Sequence, residues 1–140
     1  SLALNIKSDG LLHLLSRSKP HLAGTGSFYF DMSVPETLRF VRSGLPAASR
    51  LSEFEKLDMN LNPEVQTLWI DGFESDWFTE SGAHDFLTPD FRHVIVSPEL
   101  HGRDPKEVWA LVKKLDKSGA NLAVCTDYPD ALSNYMGVSN

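Results

Sequence analysis

His93-Val94-Ile95-Val96-Ser97, running on into Pro98-Glu99-Leu100-His101-Gly102-Arg103-Asp104-Pro105-Lys106-Glu107, decides the architecture. The first five residues form a short apolar run rich in β-branched side chains, which suits a strand covered on both faces better than one with a wet face. The chain then turns polar and supplies helix punctuation. Asp104 is an N-cap, Pro105 stands at the first helical position, and Glu107 is an acid in the first turn. Val108, Trp109, Leu111, Val112 and Leu115 fall on one face of the helix that follows. Lys113, Lys114 and Lys117 put positive charge at its negative end, and Gly119 stops it. A buried strand, a polar strand end and an amphipathic helix make one β/α unit.

The same unit recurs in both directions along the chain. Strand-like runs are expected at 2–7, 27–32, 46–50, 67–73, 93–97 and 122–126. Ser33-Val34-Pro35-Glu36 reads as a capping box that opens a helix through Leu38, Phe40 and Val41, ended by Gly44. Ser52-Glu53-Phe54-Glu55 reads as the start of a shorter helix. Leu11, Leu12, Leu14 and Leu15 mark an amphipathic helix expected to close before Pro20. Residues 74–92, with Gly82 and Pro89, are expected to form short turns.

Each run gives way at its C-terminal end to charged or hydroxyl residues, among them Lys7, Asp31, Arg50, Asp71, Glu99 and Asp127. A barrel of parallel strands collects such side chains on one rim, whereas composition alone is equally compatible with an open doubly wound sheet. The expected fold is therefore α/β, a (β/α)8 TIM barrel present as roughly its last six units. A full barrel needs about 250 residues, so the 140 residues are expected to be a single domain, the C-terminal part of a longer barrel. Ser1 in place of Met, directly before a strand, fits an upstream segment.

Composition removes several classes of function. Charged residues are 23% of the chain and the net charge is −6, without a Lys/Arg cluster, so a general nucleic-acid surface is not expected. No apolar run reaches the roughly 18 to 20 residues of a membrane span, and the expected location is the cytoplasm. Cys125 sits in an apolar run and is expected to be a buried, reduced thiol.

The strings Ala3-Leu4-Asn5-Ile6-Lys7, Phe30-Asp31-Met32-Ser33, Arg50-Leu51-Ser52-Glu53, Ser97-Pro98-Glu99-Leu100-His101-Gly102-Arg103 and Cys125-Thr126-Asp127-Tyr128-Pro129, in that order, resemble the glycerophosphodiester phosphodiesterase family, a branch of the phosphatidylinositol-phospholipase-C-like barrels. The resemblance implies hydrolysis of a small phosphodiester by a His pair acting as acid and base, usually with a divalent cation such as Mg or Ca. It also places the His pair in the first two barrel units, upstream of Ser1. His101-Gly102-Arg103 differs in order from the family's H-R-G, and His84-Asp85 falls in the irregular connector. Where the family carries E-x-K this chain has Asn5-Ile6-Lys7, so a neutral amide replaces a metal-binding carboxylate.

The resemblance implies that Lys7 faces the phosphate, and Glu99, in a loop before a helix N-terminus where barrels often hold phosphate, is expected with it in the catalytic apparatus. Asn5, Asp31, Arg50, Asp71, His101 and Asp127 are the expected substrate-binding residues. Each also has a plain structural reading. Lys7 could form a rim ion pair, Arg50 could pair with Glu53 or Asp71, and Asp127 could fix the last loop by accepting backbone hydrogen bonds. Trp77 could line the mouth or simply pack. His13 and His21 read as surface or packing residues. The expected activity is that of a phosphoric diester hydrolase of lipid metabolism, of bacterial type, with the isolated chain inactive. Two alternatives stay open: a non-catalytic barrel relative that binds an anionic sugar phosphate or a protein partner, and a barrel aldolase or isomerase using Lys7 as a Schiff-base lysine.

Overall fold

A computed structural model describes residues 1–22, 24–56, 65–80 and 91–138. All six expected runs contain a strand: β1 Ala3–Asn5, β2 Phe28–Phe30, β3 Ala48–Leu51, β4 Thr67–Ile70, β5 Arg92–Val96 and β6 Leu122–Cys125. The helices are α1 Leu12–Leu15, α2 Lys19–Leu22, α3 Val34–Arg42, α4 Trp77–Glu80, α5 Lys106–Lys117 and α6 Pro129–Met136. No described helix is long and apolar enough to cross a membrane. The protein is an α/β fold with parallel sheet pairing. It divides into two compact units, Ser1–Leu51 with Glu55–Trp69, and Ser52–Phe54 with Ile70–Asn140.

In the first unit β1 pairs with β2 in parallel, Ala3 opposite Phe28 and Asn5 opposite Phe30. Tyr29 continues the pairing through a parallel bridge to Ala47, and β3 neighbours β4. Successive strand side chains point to opposite faces. Tyr29 packs edge-on to Phe40 of α3, ring centres 5.2 Å apart, in a core shared with Ile6, Leu22, Met32 and Leu45. Phe30, on the other face, stacks on Trp69 at 4.0 Å. Both faces of β2 are thus covered, which is why its sequence is apolar without alternation.

Helix α3 starts as expected, the Ser33 hydroxyl accepting from the Glu36 N–H at 3.4 Å. The reciprocal half of the capping box does not form. Glu36 is buried and turns its carboxylate to the Gly10 N–H, 2.9 Å away, and to Arg39. The loop after β1 therefore rests on the helix, and Gly10 takes a φ of +85° there, a conformation that costs glycine nothing.

Three local expectations are corrected. The leucine helix is only Leu12–Leu15, and a 3-10 helix, Ser16–Ser18, carries the chain into α2. Pro20 lies in the first turn of α2, where a missing N–H is harmless, so it does not end the helical path. No helix starts at Ser52: residues 52–54 bend, because Glu53 is drawn to the loop after β4. In 74–92, α4 provides one helical turn. Gly82, His84, Asp85 and Pro89 lie outside the described residues.

In the second unit β5 pairs with β6 in parallel, His93 opposite Leu122 through Val96 opposite Cys125. Helix α5 covers them with Val108, Trp109, Val112 and Leu115, all buried as the sequence face requires. It begins one residue later than expected, with Asp104 Oδ1 accepting from the Lys106 N–H at 3.1 Å. Trp109 Nε1 donates to the buried Ser97 hydroxyl at 2.9 Å and ties the helix to the strand end. Helix α6 packs on α5 through Tyr135, whose ring centre is 5.7 Å from that of Trp109 and whose carbonyl accepts from Lys113. Cys125 is only half-buried, because β6 is partly exposed along its whole length.

Candidate functional site

The expected site residues of the first unit come together. Lys7 follows β1, Asp31 follows β2 and Arg50 lies in β3, so parallel pairing sets all three at the same ends of neighbouring strands. Asp31 Oδ2 accepts from Lys7 Nζ at 2.8 Å and Asp31 Oδ1 from Arg50 Nη1 at 2.7 Å. Asn5 adds a side-chain hydrogen bond to the same carboxylate. Arg50 Nε bonds Glu55, a residue that the sequence patterns placed in a helix rather than in the site.

Asp31 holds this position at a φ of +70°, the only positive φ at a non-glycine among the described residues. Aspartate tolerates the left-handed region better than most side chains, and such conformations persist where surrounding contacts over-determine them. Here the contacts are two cations and an amide. Partial burial pushes the Asp31 carboxyl up, but the Lys7 hydrogen bond and charge, the Arg50 charge and the Asn5 hydrogen bond outweigh it and hold it below its ordinary range. Lys7 remains largely exposed, 77% by side chain, so two of its three N–H donors face solvent.

In the second unit Asp71 and His101 meet directly, Oδ1 to Nε2, at 2.8 Å. Trp77 packs against Phe78 and donates from Nε1 to the Asp71 carbonyl, so it fixes the strand end. Glu99 bonds the hydroxyls of Ser97 and Thr126 and accepts from the Asp127 N–H at 3.1 Å. Burial raises its carboxyl, and these donors more than reverse the effect, so it stays below its ordinary range. An acid held ionised by three donors is suited to clamping a loop. The anchoring expected of Asp127 is thus done by Glu99, with Asp127 contributing its N–H while its own side chain stays exposed.

Two further residues carry weight that their sequence pattern did not reveal. Glu53 accepts from the N–H groups of Phe73, Glu74 and Ser75 at 3.1, 3.1 and 3.0 Å. Arg103 donates to the carbonyls of Gly72 and Phe73 at 2.5 and 2.9 Å and to Asp76 at 3.0 Å. Both stand in quoted strings, Arg50-Leu51-Ser52-Glu53 and His101-Gly102-Arg103. Their partners, mostly backbone atoms, are distant in sequence, and no spacing rule exists for them.

The environment of Asn5 fits a divalent cation poorly. Its neighbouring carboxylate, Asp31, already serves two cationic side chains that would repel a metal, and no group of three His, Cys, Asp or Glu among the described residues could share one.

Fold and site together define an α/β protein of parallel strands with polar clusters at the strand ends. Compared with protein-family models, curated proteins and solved structures, the chain matches none.

Proposed function

We propose that the chain is part of a (β/α)-barrel phosphodiesterase of the glycerophosphodiester phosphodiesterase kind, and that its own part in the reaction is to hold the substrate's phosphate. The observation that carries this reading is the Lys7–Asp31–Arg50 cluster. Transfer of a phosphoryl group depends on positive charge fixed near the non-bridging oxygens. Asp31 orients both cations, and Lys7 presents its remaining donors outward. The alternation of parallel strands and helices, with polar residues at the strand ends, supports the barrel.

Calorimetric titration with sn-glycero-3-phosphocholine tests the reading. Saturable binding is expected, weakened at least about tenfold, or 1.4 kcal/mol, by Lys7→Ala. It is also expected to weaken as salt rises, because Lys7 is exposed. No hydrolysis by the chain is expected. Binding unchanged in Lys7→Ala overturns the assignment of the site, and turnover by the chain alone overturns its purely binding role.

The amide of Asn5 favours one second reading, a non-catalytic relative that holds an anionic sugar phosphate, since an amide satisfies Asp31 without adding the charge a metal needs. Tighter binding of a sugar phosphate monoester than of the diester would select it.

A further inference from the structure

Around the ends of β4 and β5 the second unit carries side chains that the phosphate reading does not use. The Asp71 carboxylate oxygen accepts from His101 Nε2, and in the neutral imidazole with its hydrogen on Nε2 the lone pair is on Nδ1. No protein atom among the described residues bonds Nδ1, and the side chain is 23% exposed. Phe73 packs edge-on to the imidazole, ring centres 5.4 Å apart, and so fixes its plane. Phe54 lies 6.0 Å from Phe73, and both phenyl rings reach the surface, 66% and 37% exposed.

This surface is held firmly. Glu53 grips the N–H side of the loop that carries Phe73 and Arg103 grips its carbonyl side. Gly72 has no room for a side chain, since a Cβ would come within 2.3 Å of the Ser75 carbonyl oxygen. Exposed aromatic rings beside an oriented hydrogen-bond acceptor suit a ligand with an apolar C–H face and a hydroxyl edge. Among the described residues the nearby acids Glu53, Asp71, Glu74 and Asp76 outnumber Arg103, which disfavours an anionic ligand.

We propose that Phe54, Phe73 and His101 form a binding subsite for a small neutral sugar. The sugar ring lies against the phenyl rings through weak C–H contacts, and one hydroxyl donates to His101 Nδ1. Asp71 is a positioning residue, which fixes the tautomer that leaves Nδ1 able to accept. The subsite uses the second unit alone and does not rest on the phosphate reading.

Titration with methyl β-D-glucopyranoside, followed by 1H–15N spectra of the His101 ring and of the N–H groups of residues 73–75, tests it. The spectra are expected to show the Nε2–H form and a saturable shift of Nδ1. Phe54→Ala, at an exposed position, and His101→Phe, which keeps a ring but loses the acceptor, are each expected to weaken binding at least about tenfold. Lys117→Ala serves as the unaffected control. An Nδ1–H tautomer, the absence of a saturable shift, or equal binding by Phe54→Ala overturns the proposal. So does preferential binding of a nucleoside or of inorganic phosphate.

Discussion

Asp31 shows what a single residue contributes here. Its carboxyl is held below the ordinary value of 3.8 in the folded protein, so its contribution to stability is complete above that value and is lost as pH falls through the folded one. Glu53 and Glu99 act in the same sense relative to 4.5, each through hydrogen-bond donors that outweigh partial burial. Urea unfolding should therefore show a steep loss of stability below about pH 4, shallower in Asp31→Asn. Cys125 behaves in the opposite direction. Burial first, then the charges of Asp127, Asp71 and Glu99, push its thiol above 9.0, so alkylation at pH 8 should be slower than for an unstructured cysteine peptide and faster in Glu99→Gln. Glu36 is a different case. Glu36→Ala leaves the Gly10 N–H without its partner and should cost about 1 to 3 kcal/mol in unfolding experiments.

At the scale of elements, α5 and the loop after β4 are the clearest tests. Trp109 joins helix to strand by packing and by its bond to Ser97. Trp109→Phe should lose about 1 kcal/mol with the hydrogen bond, and Trp109→Ala about 3 to 5 kcal/mol with the packing. The loop of residues 72–76 depends on Gly72. Gly72→Ala pushes a methyl group into the Ser75 carbonyl and should speed amide exchange at Phe73, Glu74 and Ser75 by releasing their bonds to Glu53. The helix at α5 was legible because capping, charge and a three-to-four-residue apolar rhythm agreed along one stretch of chain. The helix expected at Ser52 failed because the bonds of Glu53 to a loop some twenty residues away outweigh a local capping pattern.

For the molecule as a whole, the net charge of −6 with no Lys/Arg cluster in the sequence predicts no detectable binding to duplex DNA at physiological salt in a mobility-shift assay. The amino-acid sequence by itself determined the order of the strands among the described residues and the polar side chains at their ends. Those features depend on local periodicity, on β-branched apolar runs and on helix caps, all written within a few residues of one another. It also singled out Lys7, Asp31, Arg50, Asp71, Glu99 and His101. Only the tertiary structure decided how they combine: Lys7 and Arg50 on Asp31, His101 on Asp71, and Glu99 as a clamp on Thr126 and Asp127. Those partners lie 19 to 30 residues apart, and a hydrogen bond is set by distance and direction in space, which strand pairing fixes and sequence spacing does not.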